Sequence, residues 1–210
     1  NFKLTNDQES AIKIINEDLK SKSRMFRLLQ GDVGSGKTIV SMIAAVNSIN
    51  AGYQASFMVP TEILAKQHFS FASKYLPKNI KVQMITGKSK FSERKKILED
   101  LKNGNIDFLI GTHSLFQKKV EYKKLGLIII DEQHKFGVRQ RKELSEKGGN
   151  NCDVLVMSAT PIPRTMMMTV YGDMDLTLIK EKPKNRKKII TYSKLEDKIS
   201  EIINFVKKEI

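Results

Sequence analysis

Three glycines, a lysine and a threonine interrupt an apolar stretch, LLQGDVGSGKTIV, at residues 28–40. Glycine weakens strands and helices by roughly 0.5–1 kcal/mol relative to alanine, so its use here indicates that something needs the bare backbone. The pattern G-x-x-x-x-G-K-[ST] is matched at Gly31, Gly36, Lys37 and Thr38. In such a loop backbone N–H groups surround a polyphosphate, the lysine contacts its β- and γ-phosphates, and the threonine hydroxyl binds Mg²⁺.

An apolar, strand-like run precedes this loop and a helical pattern follows it, which is the setting that a phosphate-binding loop requires. The helix N-terminus offers unpaired N–H donors and a partial positive charge to an anion. A fortuitous glycine turn is the alternative. The sequence thus predicts a nucleotide site, with a catalytic lysine, at Gly31, Asp32, Val33, Gly34, Ser35, Gly36, Lys37 and Thr38.

An acidic pair follows a second apolar run, in LIIIDEQH at residues 127–134. Asp131 is suited to hold Mg²⁺ through water, and Glu132 is suited to position or deprotonate the water that attacks a phosphate. A solvated turn would use the same residue types, but the phosphate loop earlier in the chain favours the catalytic interpretation. His134 is predicted to couple this site to a motor, with a packed histidine as the alternative.

The composition limits the class of protein. The 210 residues include 37 Lys and Arg against 23 Asp and Glu, a formal charge of +14 that suits a polyanion such as nucleic acid or reflects a lysine-rich proteome. The single cysteine, Cys152, excludes an internal disulfide and fits a reducing compartment. No apolar run approaches the ~18 residues of a membrane span and no signal peptide is evident, so we expect a cytoplasmic protein or a piece of one.

Strand-like and helical patterns alternate along the chain, which predicts a parallel β-sheet with helices on both faces. A first helix is expected after Thr5, whose spacing from Gln8 fits a capping box. The strand-like runs are residues 25–30, 55–59, 81–85, 107–111, 125–131 and 153–158, and the later helical runs are 37–50, 62–75, 90–103 and 138–147. A charged, proline-containing break at 180–188 precedes a strand-like run at 188–192 and an amphipathic helix at 194–208.

Several strands end in a threonine followed by a helical pattern. Helix N-termini and hydroxyl groups at one sheet edge can hold backbone phosphates without reading bases, although threonine is also an ordinary helix cap. Neither an L-S-G-G-Q-like transporter signature nor a small-molecule kinase pattern competes with this interpretation. The predicted DNA contacts at these strand ends are Thr61, Thr86, Gly87, Thr112 and His113.

Four segments, GDVGSGKT (31–38), PTEILAKQH (60–68), DEQHKFGVRQR (131–141) and SATPIPRT (158–165), resemble in order and spacing the first motor domain of the RecG family of superfamily 2 helicases. The resemblance covers roughly residues 2–182. It implies a RecA-like P-loop NTPase domain that binds ATP and Mg²⁺ in a cytoplasmic bacterial DNA helicase. The complete protein would remodel branched duplex DNA, such as stalled forks and Holliday junctions, in recombination and repair.

The resemblance also assigns roles. Gln8 is similar to the glutamine that reads adenine, with Phe2 as a stacking partner and a mere helix cap as the alternative. Ser158 and Thr160 resemble the link between the γ-phosphate and the nucleic acid, and Arg164 would face DNA or a second domain, unless it is a surface arginine. The neighbouring family is the transcription-repair coupling translocase, from which the D-E-Q sequence and Ser35 distinguish this chain; Lys135 departs from RecG, which usually has arginine there.

A RecG-like parent would carry a wedge domain before this segment and a second RecA-like domain after it. The expected organisation is an ATP-binding domain at 1–182, a linker at 183–187 and the truncated start of the second motor domain at 188–210. The arginine finger would come from that second domain, since no Q-x-x-G-R-x-G-R-like motif occurs in this sequence. The segment alone is expected to hydrolyse ATP very poorly, and a nucleotide- and DNA-binding module without turnover is the other alternative.

Overall fold

A computed structural model describes residues 3–117, 119–131, 152–160, 174–181, 195 and 198–209 of the chain. The predictions for Phe2, Glu132, His134, Lys135 and Arg164 therefore lie outside the described residues. The same holds for the predicted helix at 138–147, the linker at 183–187 and the strand-like run at 188–192.

Strands and helices alternate, as the sequence patterns predict. The strands are β1 (Phe26–Gly31), β2 (Gln54–Met58), β3 (Val82–Ile85), β4 (Phe108–Gly111), β5 (Leu125–Asp131), β6 (Asp153–Ser158) and β7 (Asp175–Ile179). The helices are α1 (Asn6–Lys20), α2 (Lys37–Asn50), α3 (Glu62–Tyr75), α4 (Phe91–Asn103) and α5 (Ile199–Glu209), with a one-turn 3₁₀ helix at His113–Phe116.

The seven strands form one parallel sheet in the order β3-β4-β2-β5-β6-β1-β7. Because all strands run in the same direction, their carboxyl ends share one edge of the sheet, where ligands of open α/β sheets bind. The predicted α/β fold with a parallel sheet is confirmed. The sequence patterns missed β7, an edge strand in which exposed Asp175 and Leu178 alternate with buried Thr177 and Ile179.

Apolar side chains cover both faces of the sheet. One layer joins alternate residues of the central strands to α1, α2 and α3, and it includes Ile15, Val40, Ala65, Phe57 and Ile129. The opposite layer joins the intervening residues to α4, and it includes Leu101, Leu28, Met58, Ile128 and Val156. Burial of the central strands on both faces explains their nearly continuous apolar sequences.

Helix α1 is fixed to the sheet at both of its ends. The Arg27 guanidinium on β1 lies 2.5 Å from an Asp18 carboxylate oxygen near the end of α1, and donates to the Thr177 hydroxyl on β7 at 2.9 Å. At the start of α1, the Asp7 carboxylate accepts from the backbone N–H groups of Glu181 and Lys180. These N–H groups lower the pKa of Asp7 below its usual value.

The last helix, α5, begins five residues later than the predicted range of 194–208. Its apolar side chains Ile199, Ile202, Phe205 and Val206 are exposed. Within the described residues, the chain forms no helix that is both long and apolar enough to span a membrane.

Candidate nucleotide-binding site

The residues with predicted chemistry gather at the carboxyl ends of three adjacent strands. Strand β6 lies between β1 and β5, and its register pairs Ser158 with Gln30 of β1 and Met157 with Asp131 of β5. The phosphate loop, residues 31–38, leaves the end of β1 and leads into α2. The sheet therefore places this loop, Ser158 and Asp131 along one edge.

The glycines of the phosphate loop meet two different requirements. Gly34 and Gly36 have positive φ angles of 76° and 90°, which residues with a side chain rarely adopt. A Cβ on Gly31 would lie 2.6 Å from the Ser35 hydroxyl and 2.8 Å from the Ile179 carbonyl, and a Cβ on Gly36 would collide with the Gln8 amide. The absence of side chains at Gly31 and Gly36, which the sequence analysis attributed to phosphate binding, thus also allows close packing within the protein.

Lys37, the first residue of α2, folds over the loop that precedes it. Its ammonium donates to the carbonyl oxygens of Gly31 at 2.7 Å and Asp32 at 3.0 Å. Thr38 follows in the first turn of the same helix, so its hydroxyl and the helix N–H groups belong to the site where Lys37 lies. This places one cation, one hydroxyl and a helix N-terminus together, as anion binding requires.

Gln8 joins α1 to the phosphate loop. Its side-chain oxygen accepts from the Thr5 backbone N–H at 3.0 Å, and the Thr5 hydroxyl accepts from the Gln8 N–H at 3.3 Å, so the predicted capping box is confirmed. The Gln8 Nε2 group also donates to the Ser35 carbonyl at 2.7 Å. Because the side chain is buried and its amide bonds both a cap and the loop, Gln8 is more than a helix cap.

Asp131 ends β5 and meets a histidine that the sequence reading did not select. The His68 Nε2 atom on α3 lies 3.5 Å from an Asp131 carboxylate oxygen. The imidazole also packs against the Phe57 ring of β2, with centroids 4.7 Å apart. The available signal was the position of His68 within PTEILAKQH, one of the segments that carried the resemblance.

Ser158 and Thr160, the predicted coupling residues, bond to each other at the end of β6. Their hydroxyl groups are 2.9 Å apart, and the Thr160 N–H donates to the Ser158 hydroxyl at 3.2 Å. The buried Gln30 side chain, which the sequence reading also missed, donates to the Thr160 carbonyl at 3.0 Å. Since Gln30 immediately precedes Gly31, this bond connects the turn after β6 to the start of the phosphate loop.

The predicted DNA contacts follow β2, β3 and β4, which are neighbours in the sheet. Thr61 caps α3, accepting from the Leu64 N–H at 3.3 Å. The helix predicted at 90–103 is α4, Phe91–Asn103, and the Thr86 hydroxyl accepts from the Lys88 N–H in the turn before it. Thr86 itself is 4 % exposed and Gly87 is exposed, so the Thr86 hydroxyl is turned away from solvent while the Gly87 backbone faces it.

The third strand end differs from both of the others. Thr112 precedes the 3₁₀ helix without a side-chain capping bond, and the exposed His113 is its first residue. Thr61 is therefore the one predicted strand-end threonine, among the described residues, that caps an α-helix.

A cavity of about 1080 Å³ lies at the opposite edge of the sheet, near the amino ends of β1, β2, β5 and β6. Its lining includes Lys22, Arg24, Tyr53, Lys124 and Asp153. None of the residues with predicted nucleotide chemistry lines it, so the cavity is separate from the candidate site.

The family model described as DEAD/DEAH box helicase matches residues 5–169. This chain belongs to the DEAD/DEAH box helicase family. Nucleotide use by helicases of this family agrees with a phosphate loop and Asp131 at one edge of the sheet.

Within this helicase family, the predicted resemblance to RecG is confirmed. The chain is 50 % identical over 209 residues to the ATP-dependent DNA helicase RecG of Streptococcus pneumoniae, and 50 % identical over 210 residues to that of Thermotoga maritima. It spans 31 % and 27 % of the length of these two relatives.

A solved structure of RecG bound to a three-way DNA junction superimposes with a TM-score of 0.87 and 45 % sequence identity. The match covers 100 % of this chain and 28 % of that one. The helicase MrfA, with 17 % identity and a TM-score of 0.62, shares the fold.

Proposed function

We propose that this chain is the ATP-binding motor domain of a RecG-type DNA helicase, in which ATP hydrolysis drives the remodelling of branched DNA during recombination and repair. The observation that carries the proposal is the phosphate loop beside Asp131 at one sheet edge, in a chain half identical to RecG over its whole length. The complete protein would act on stalled forks and Holliday junctions in the bacterial cytoplasm.

The residues of the site suit Mg-ATP. The Lys37 ammonium would leave the loop carbonyls and pair with the β- and γ-phosphates, while the loop and α2 N–H groups hold phosphate oxygens. The Thr38 hydroxyl and Asp131 carboxylate are oxygen donors of the kind that Mg²⁺ prefers, so the donor set fits the metal. Bound Mg²⁺ would neutralise charge on the phosphate oxygens.

Gln8 is proposed to bind adenine and to link the occupied adenine site to the phosphate loop. Its amide already bonds the Ser35 carbonyl, so an adenine edge that exchanged bonds with Nε2 would act directly on the loop. Glu132 follows Asp131 in the sequence and would accept a proton from the attacking water as general base. Lys37 supplies the fixed positive charge that opposes the charge developing on the γ-phosphate.

Coupling between nucleotide and DNA is proposed to pass through the hydroxyl pair at the end of β6. Ser158 is buried and Thr160 is exposed, and Gln30 ties the turn between them to the phosphate loop. A shift of that loop on hydrolysis would therefore move the Thr160 turn. His134, which follows the acidic pair in the sequence, would join this coupling.

DNA is proposed to lie along the carboxyl ends of β2, β4 and β3 and to be held through its phosphates. The α3 N-terminus at Thr61 and the exposed backbone of Gly87 offer N–H donors, and Thr112, His113 and Arg164 would add polar and basic contacts. The formal charge of +14 supports phosphate binding without base specificity.

The chain is proposed to form one half of a two-domain motor. Residues 1–182 would be the ATP-binding domain, 183–187 the linker, and 188–210 the first elements of the second RecA-like domain. That second domain would supply the arginine finger, and a wedge domain elsewhere in the parent chain would split the junction. The support is the share of the RecG relatives, about 30 % of their length, that this chain matches.

The test is ATP turnover by the full-length protein with and without a synthetic three-way junction. We expect junction-stimulated hydrolysis that Lys37→Ala abolishes, while Lys96→Ala, on the exposed side of α4, leaves it unchanged. An ATP turnover rate that neither the junction nor Lys37→Ala changes would refute the proposal. Turnover that requires RNA polymerase would favour the transcription-repair translocase instead.

A further inference from the structure

His68 is a polar ring at an apolar position. The buried residues of α3 are Ala65, His68 and Ala72, and His68 is only 8 % exposed. This face belongs to the apolar layer that includes Phe57 of β2, and the His68 ring touches the Phe57 ring. A leucine would fill such a position without the cost of burying polar nitrogen atoms, so packing alone does not account for the imidazole.

The sheet explains how His68 reaches the nucleotide site. Phe57 of β2 is paired in register with Ile129 of β5, and both belong to the apolar layer under α3. Side chains two residues apart on a strand point to the same face, so Asp131 projects to the α3 side as Ile129 does. This orientation places an Asp131 carboxylate oxygen 3.5 Å from the His68 Nε2 atom.

Within the described residues, His68 is the one basic side chain close enough to pair with the Asp131 carboxylate. The Asp131 side chain keeps 17 % of its surface exposed, which leaves part of the carboxylate available on the solvent side. The buried imidazole therefore contacts the carboxylate on one side and leaves its other side open to solvent.

We propose that His68 is a positioning residue that holds the Asp131 carboxylate in the orientation in which it would meet Mg²⁺ of Mg-ATP. The inference rests on the proposed function of Asp131 and adds the residue that orients it. Because His68 lies on the helix that Thr61 caps, it also fixes a predicted DNA-binding helix to the metal end of the nucleotide site.

The experiment is a titration of a fluorescent ATP analogue into the 210-residue chain at a series of free Mg²⁺ concentrations. His68→Leu places an apolar side chain of similar size against Phe57 and removes the nitrogen atoms. Loss of an outer contact to a metal ligand typically costs about 10–100-fold in metal affinity, so the Mg²⁺ midpoint should rise about tenfold or more. Nucleotide affinity measured in EDTA should stay unchanged.

Two amide variants and one packing variant complete the experiment. His68→Gln carries a nitrogen at about the reach of Nε2 and should restore the Mg²⁺ midpoint, whereas the shorter His68→Asn should not. Phe57→Leu should lower the melting temperature without moving the midpoint, because it leaves the imidazole in place. If His68→Leu does not fold, the comparison of the Gln and Asn variants decides the question.

Equal Mg²⁺ midpoints for the wild type and a folded His68→Leu chain would overturn the inference, as would equal midpoints for His68→Gln and His68→Asn. Failure of the proposed function gives a different result. In that case the wild-type chain would bind the analogue no better than Lys37→Ala does, at any Mg²⁺ concentration.

Discussion

Replacing Gly36 by alanine should destabilise the chain through two separable effects. Gly36 caps α2 with a φ of 90°, a conformation that costs an alanine about 1–2 kcal/mol. The new Cβ would also collide with the Gln8 Nε2 atom, so the bond from Gln8 to the Ser35 carbonyl must break, at a cost of about 1 kcal/mol. The free energy of unfolding should therefore fall by about 2–3 kcal/mol.

Thermal unfolding followed by circular dichroism measures this loss. For a chain of this size 1 kcal/mol corresponds to about 2–4 °C, so the Gly36→Ala melting temperature should fall by roughly 5–10 °C. Gly52→Ala is the matched control, because Gly52 has a similar φ of 83° but nothing lies within 4 Å of its added Cβ. The control should show the conformational cost alone.

A double-mutant cycle with Gln8→Ala isolates the collision. Once the Gln8 amide is removed, Gly36→Ala should cost only as much as Gly52→Ala does, which gives a coupling free energy of about 1 kcal/mol between positions 8 and 36. If the effects of Gly36→Ala and Gln8→Ala add to within about 0.3–0.5 kcal/mol, the predicted collision between the new Cβ and the Gln8 amide is refuted.

Three further predictions concern DNA, turnover and the lone cysteine. Affinity for duplex DNA should fall by about 0.9 log units per log unit of salt for each phosphate neutralised, and a flat salt dependence would contradict phosphate binding. In the full-length protein Glu132→Gln should bind nucleotide normally but turn over about 10²–10⁴-fold more slowly; normal turnover would exclude Glu132 as the base. Burial raises the pKa of Cys152 to about 12, so at pH 8 it should react with Ellman's reagent only after unfolding, and rapid native reaction would contradict its burial.

Those parts of the structure that depend on local sequence could be predicted. The apolar runs at 125–131 and 153–158 and the helical patterns at 37–50 and 62–75 coincide with β5, β6, α2 and α3. The phosphate loop and Asp131 could be placed at one edge of the sheet, because parallel strands with loops at their carboxyl ends require it.

Those parts that depend on pairing across the chain could not be predicted. Strand β7 is short and begins with an exposed aspartate, and its place at the edge, beside β1 among the described strands, follows from pairing and not from local sequence. The contacts of His68 with Asp131 and of Gln30 with Thr160 follow from strand order and register, which the sequence patterns do not determine. The bond between the Thr86 hydroxyl and the Lys88 N–H likewise depends on the conformation of the turn before α4, which the sequence patterns do not determine.

Nucleotide binding by the 210-residue chain tests the central claim most directly. A fluorescent ATP analogue with Mg²⁺ should bind the wild type and Lys96→Ala equally, because Lys96 is exposed on α4 and far along the sheet order from β1. Lys37→Ala should lose a charge-assisted phosphate contact of about 1.5–3 kcal/mol, which is at least about a tenfold loss of affinity. Equal affinity of Lys37→Ala and the wild type would contradict the assignment of residues 31–38 as the site that holds ATP.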